Sequence, residues 1–258
     1  MEDQAYKSMS RQEGSNWYYL ARLSIIGSLL KKHVVQSSEP LRIVDVGCGT
    51  GHSTIEIAKF GHVIGLEPSS VALTLLKEKF PELDVRQGVV DDIVSVVGAD
   101  AHDLVTALGV LYHRDVSDPW SAVRNIAKVL RSGGWFLWNE CIYPQLWREH
   151  DDFVHCGRRF YPREMHAILE GNGFDVIHSS NLLAWGTPIA LALSLCYRIR
   201  TRVFRRDLAS KRHTDDRPLP DMLNRLLMQL TDLEWRLGES SVRLPFGVSR
   251  IILARKRE

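Results

Sequence analysis

Between Leu41 and Asn181, short runs of branched apolar residues alternate with segments whose apolar residues recur at helical spacing. The runs at 41–46, 62–67, 84–88, 103–108, 135–141 and 174–179 predict strands, and the segments at 52–60, 70–80, 117–131 and 162–172 predict helices between them. Punctuation supports the division: Gly61 follows the first helical segment, Ser69 or Ser70 can cap the second, Gly133 and Gly134 follow the third, and Pro162 opens the last. Strands that alternate with helices predict a doubly wound α/β domain, its mostly parallel sheet covered on both faces. Ligands of such sheets bind at the carboxyl ends of the strands, where the strand order reverses.

Composition narrows the classes without changing this picture. The chain has 258 residues, 45% hydrophobic and 25% charged, with a net charge of +2. That suits one large globular domain with a small addition, and it gives no electrostatic case for a nucleic-acid partner. Four dispersed cysteines, without a CxxC or a Cys/His cluster at zinc spacing, predict reduced thiols, no metal and a cytoplasmic protein. The N-terminus has no apolar core of a secretory signal. The greasiest stretch, 185–197, falls short of the ~20 apolar residues of a bilayer span.

The candidate chemistry begins at "LRIVDVGCGTGHS", 41–53, where an acid near the end of a strand precedes glycines at 47, 49 and 51. Such glycines let backbone approach a ligand closely, and the next helix presents free N–H groups to it. Glu67, 20 residues beyond Gly47, ends the second strand where a carboxylate can accept hydrogen bonds from ribose hydroxyls. A dinucleotide oxidoreductase shares that acid, but its loop reads GxGxxG, whereas here the spacing is Gly47-x-Gly49-x-Gly51.

"VDVGCGTG" and "HVIGLEPSS" together resemble the first two motifs of class I S-adenosylmethionine-dependent methyltransferases. The resemblance implies a seven-stranded Rossmann-like fold with an antiparallel last strand, and a site that binds S-adenosylmethionine and releases S-adenosylhomocysteine. Asp45, Gly47, Cys48, Gly49 and Gly51 then lie along the methionine part, and Glu67 and Pro68 along the ribose. After the third strand, the adenine position usually held by a carboxylate is Val89, which shifts the expectation to Asp91 and the amide of Val90. "GVLYHRDVSDP" with "VRNIAKVLRSGGWFL" resembles the type 11 branch; it implies Leu108 and Gly109 beside the cofactor, with Tyr112 and His113 facing the acceptor. His113 has an equally good reading as a loop anchor.

Beyond the fifth strand, "WREHDDFVHCGRRFY" resembles a branch found beside bacterial glycan and secondary-metabolite genes. It implies Trp147, Arg158, Arg159 and Tyr161 as acceptor contacts, with His150 or His155 joining His113 as candidate general bases. The plainer reading is that these groups pair with each other to fix a lid. "SNWYYLARLSII" resembles the family's aromatic first helix, which places Trp17 and Tyr18 over the cofactor and Arg22 at its carboxylate.

The resemblance divides the chain into an N-terminal helical cap at 1–40, a cofactor-binding core at 41–181, a helical insertion at 182–246 and a final strand at 247–258. In the insertion, leucines and a methionine from Leu219 to Leu237 recur at helical spacing and predict a buried stripe. Residues 198–212 hold seven basic residues and one acid, so 185–212 reads either as a solvated face or as a peripheral membrane contact. The expected activity is methyl transfer to a small-molecule or glycan-type acceptor, with a hydroxyl favoured and no metal. A tRNA-modifying enzyme, which shares "GVLYHR", and a non-catalytic cofactor-binding scaffold remain as alternatives, and the oligomeric state is left open.

Overall fold

Seven strands form one sheet in the computed structural model, which describes residues 3–35, 39–204, 219–239 and 244–258. The strands are β1 (Leu41–Val46), β2 (Gly61–Glu67), β3 (Asp84–Gln87), β4 (His102–Leu108), β5 (Leu130–Cys141), β6 (Phe174–Leu182) and β7 (Ser249–Lys256), in the spatial order β3-β2-β1-β4-β5-β7-β6. Strands β1 to β5 pair in parallel, and β7 is antiparallel to both neighbours. The order reverses between β1 and β4, so the carboxyl ends of these two strands open the crevice where a ligand is expected.

Both faces are covered, which is why the central strands read as continuous apolar runs. Val44, Val105, Phe136 and Trp138 pack on one face against α6 (Pro119–Val129) and α8 (Pro162–Gly171). Ile43, Leu104 and Leu137 pack on the other against α2 (Trp17–Leu29), α3 (His52–Ile57) and α4 (Ser70–Lys79). Local chemistry sets the helix starts: Ser69 Oγ accepts from the Ala72 amide at 3.2 Å, and Asp118 caps α6 ahead of Pro119. Two short helices escape the periodicity reading, α5 (Ile93–Val97) and α7 (Glu149–Phe153), as does α1 (Asp3–Gln12) at the N-terminus.

The insertion departs from expectation. It supplies α9 (Thr187–Phe204) and α10 (Asp221–Glu239), and part of the basic run, 205–212, lies outside the described residues. Instead of burying the leucine stripe, α10 exposes Met222 at 84% together with Leu226, Leu233 and Leu237. A polar clamp sets its rotation: Asn224 accepts from the Trp17 amide at 2.8 Å and donates to the Ser15 carbonyl at 2.7 Å. Thr231 and Trp235, seven and eleven residues further on, are the side chains turned inward. Helix α10 therefore packs along α2.

Candidate active site

The loop after β1 is held by its glycines in a conformation other residues adopt only with strain: φ is +65° at Gly47, +55° at Gly49 and +88° at Gly51. The amides of Gly47 and Cys48 both donate to the Leu66 carbonyl, which ties the loop to β2. A Cβ on Gly47 would lie 2.5 Å from Val110 Cγ2, so the loop after β4 fits against it closely. Asp45 is buried beneath, accepting from Thr54 at 2.7 Å and Thr106 at 2.5 Å. Burial pushes its carboxyl up to about 6, and the two hydroxyls pull the other way.

Glu67 joins three elements. Its Oε1 accepts from the Ser69 amide and the Tyr6 hydroxyl, both at 3.0 Å, and its Oε2 accepts from the Gly49 amide at 3.1 Å. Burial raises its pKa, against the pull of these donors. Tyr6 belongs to α1, which lies across the glycine loop with Glu13 bonded to Thr50 and Met9 against Gly49. The expected helical cap at 1–40 named no residue of this segment, although Ala5, Tyr6, Met9 and Glu13 recur at helical spacing.

A cavity of about 520 Å³ runs along the carboxyl ends of the strands, within the usual range for small-ligand sites. At one end its wall is formed by Asp45, Gly47, Cys48, Gly49, Glu67 and Pro68. Val89, Val90 and Asp91 border this end, and Leu108 and Gly109 continue the wall after β4. Arg22 reaches the same wall with its guanidinium over the rings of Tyr18 and Tyr19, at 5.6 and 5.5 Å. Its Nε is buried without a hydrogen-bond partner among the described residues. Gly51 stands behind the wall as the N-cap of α3.

Trp17 does not reach the cavity. As the first residue of α2 it packs against Trp185 at 5.5 Å, whereas Tyr18, expected beside it, lines the cavity together with Tyr19.

The cavity wall also includes Tyr112, His113, Asn139, Glu140 and His150. Glu140, at the end of β5, is 1% exposed. Its Oε1 accepts from the amides of Val110 at 3.0 Å and Leu111 at 2.7 Å and from Trp138 Nε1 at 3.2 Å. Its Oε2 has no hydrogen-bond partner among the described residues. Burial lifts the carboxyl to about 8 despite those donors, which leaves it poised to exchange a proton near neutral pH. His113 is perturbed the other way, burial lowering it to about 4 while Asp115 pulls it back. Its Nδ1 accepts from the Asp115 amide at 3.3 Å, and its ring lies 5.9 Å from that of His155. His155, at φ +55°, lies outside the cavity wall.

The remaining expected acceptor contacts brace loops instead. Arg159 is buried in a two-pronged pair with Asp151, at 2.8 and 3.1 Å, and donates to the Ile142 carbonyl. Arg158 donates to the carbonyls of Val116 and Ser117, binding this segment to the loop after β4. Trp147 Nε1 donates to Asp152 at 3.0 Å, and the half-exposed Tyr161 accepts from Gln145 at 2.9 Å. These four lie outside the cavity wall, each held by a group of its own connection or, for Arg158, of the loop after β4. Among the described residues no cluster has the makings of a metal site, and all four cysteines are unpaired thiols.

Known proteins share this architecture. The family model described as a methyltransferase domain matches residues 43–134. An O-methyltransferase of Aspergillus nomiae is 30% identical over 154 residues, 55% of this chain and 67% of that protein. A ubiquinone biosynthesis O-methyltransferase of Aeromonas salmonicida is 38% identical over 98 residues, 36% of this chain and 40% of that one, so the match spans less than half of that relative. Among solved structures, a Haemonchus contortus phosphoethanolamine N-methyltransferase 2 in complex with S-adenosyl-L-methionine superposes with a TM-score of 0.61 at 16% identity, covering 100% of this chain and 58% of that one.

Proposed function

The chain belongs to the class I S-adenosylmethionine-dependent methyltransferases, and from that premise we propose that it methylates a hydroxyl group of a small-molecule or glycan-type acceptor. The observation that carries the hydroxyl reading is Glu140, a buried carboxylate in the wall of the same cavity as the glycine loop, with one oxygen unpartnered. Two relatives named as O-methyltransferases support it.

The residues present suit the cofactor. Glu67 Oε2, bonded to the Gly49 amide alone, keeps capacity to accept from a ribose hydroxyl, the glycine loop leaves room for close backbone approach, and the unpartnered Nε of Arg22 suits a carboxylate. Val89, Val90 and Asp91 would border adenine. When bound, S-adenosylmethionine supplies a methyl group on a sulfonium, already an excellent leaving group. The protein's work is then alignment, an effect on the order of 7–11 kcal/mol, with α1 and Tyr112 keeping water out. A hydroxyl must also lose its proton, and Glu140 Oε2 is the acceptor proposed for it in place of the three histidines. His113, near 4, is too weak a base for this step, whereas Glu140, near 8, matches it better. His150 lines the same cavity and is the group proposed to orient the acceptor.

A methyl-transfer assay offering phenols, sugar hydroxyls, primary amines and tRNA tests the reading. S-adenosylhomocysteine is expected to form with a hydroxyl compound. Turnover on amines or tRNA alone overturns the hydroxyl assignment, and cofactor binding with no turnover on any acceptor favours a binding protein.

A further inference from the structure

The wall of the cavity is rich in acids and rings and poor in cations. Among its described residues Arg22 is the one lysine or arginine, and the cofactor's own carboxylate is the partner proposed for it. Glu13, Asp91, Asp115 and Asp151 line the wall besides Asp45, Glu67 and Glu140. Arg159, which answers Asp151, lies outside it. His113, lowered to about 4 by burial, is neutral at ordinary pH. An acceptor bearing a phosphate or carboxylate would shed its water here without gaining a lysine or arginine in exchange, which is strongly unfavourable.

The side chains near Glu140 are branched or aromatic. Its Oε1 bonds the amides of Val110 and Leu111, which sets the loop after β4 beside it, and Val110, Tyr112 and Val116 of that loop line the cavity. Burial holds the Tyr112 hydroxyl well above its ordinary range, with Cys141 and Glu140 adding to the effect, so this ring stays uncharged. The Gly157 amide donates to the Tyr112 carbonyl at 2.8 Å, and the Arg114 amide to the His155 carbonyl at 3.0 Å. Those bonds tie the segment of Phe153 and Val154, which also line the cavity, to the same loop. Rings and branched side chains suit a flat aromatic body. Proton chemistry agrees, because a phenol ionises near ~10, within reach of a carboxyl at about 8, whereas an alkyl hydroxyl lies near water's ~16. We propose, resting on the hydroxyl reading, that the acceptor is an uncharged phenol, not a sugar hydroxyl and not a phosphorylated, carboxylated or nucleotide-linked compound.

Steady-state methyl transfer by the intact chain to methyl gallate, gallate, methyl glucoside and benzylamine tests this. The two gallates share a ring and its hydroxyls and differ in carrying an ester or a carboxylate. The kcat/KM for gallate is expected to fall on the order of 100-fold below that for methyl gallate, with methyl glucoside slower still. Asp115→Lys, at a side chain 76% exposed and so harmless to the fold, should narrow the gap between the gallates by about fivefold at low ionic strength. Gallate accepted as well as its ester, or methyl glucoside preferred to both, overturns the proposal and leaves the hydroxyl reading standing. Turnover on benzylamine alone overturns both. A gap that Asp115→Lys leaves unchanged removes the electrostatic exclusion and overturns the proposal as well.

Discussion

Glu140→Gln is expected to keep cofactor affinity near that of the wild type and to lower kcat by roughly 10²–10⁴-fold, the usual contribution of a positioned proton acceptor. The amide oxygen still accepts from Val110, Leu111 and Trp138, so the loop after β4 keeps its place. What is lost is the one oxygen without a partner. The wild-type kcat should rise with pH to a plateau above about 8, and the variant should lack that limb. His113→Gln should keep it, because a group lowered to about 4 is already deprotonated throughout.

Stability gives a second readout with a definite sign. The folded carboxyl of Glu140 titrates well above its ordinary value, so the native state binds more protons than the unfolded chain between about 4.5 and about 8. Its cost is absent below that window, grows through it and is complete above it. Glu140→Gln should therefore melt higher than the wild type at alkaline pH, with the gap closing as pH falls toward the ordinary carboxylate range. Thermal denaturation across pH, run beside steady-state kinetics, checks both effects.

Asp151→Ala should destabilise the protein by about 3–5 kcal/mol, the cost of leaving a buried partner charge uncompensated. The pair is shut off from water, the side chains of Arg159 and Asp151 being 1% and 3% exposed. Asp151 also accepts from the Arg148 amide at 2.8 Å, so α7 loses its N-terminal bond along with the ion pair. Arg159→Lys should not substitute, since an ammonium cannot span both carboxylate oxygens in the plane. Replacing both partners by apolar residues of similar volume, as in Asp151→Leu with Arg159→Met, should recover much of the loss. Urea denaturation of the three variants measures these differences. Equal midpoints for Asp151→Ala and the wild type would show that the pair contributes nothing to the fold.

The parts of the fold legible in the sequence are those whose cause is local. Asp45, the three glycines and Glu67 declare themselves because the turn after β1 needs positive φ at fixed spacing and the acid must end the next strand. Strand periodicity located the sheet for the same reason. What escaped depends on distant partners. Glu140 reads as one acid in an apolar strand; only the amides of Val110 and Leu111, about thirty residues earlier, make it a buried site. Tyr6 meets Glu67 across 61 residues, and the helical spacing around Tyr6 signals a helix without naming that partner. The arginines at 158 and 159 signalled charge, but their partners are carbonyls and a carboxylate of adjoining loops. The stripe of α10 shows that periodicity reveals an apolar face without fixing where it points; Asn224 and Trp235 decided that.

The central claim, a cofactor site built on the glycine loop and Glu67, is tested most directly by calorimetric titration of S-adenosylmethionine into the wild type, Glu67→Ala and Asp45→Ala. The wild type should bind saturably and show no heat with a nicotinamide dinucleotide. Glu67→Ala should lose charge-assisted hydrogen bonds worth roughly 1.5–3 kcal/mol each, about 10-fold or more in affinity. Asp45→Ala should weaken binding too, because Thr54 and Thr106 lose the carboxylate that positions them under the loop. Wild-type affinity in both variants, or no binding of S-adenosylmethionine by the folded wild type, would contradict the account.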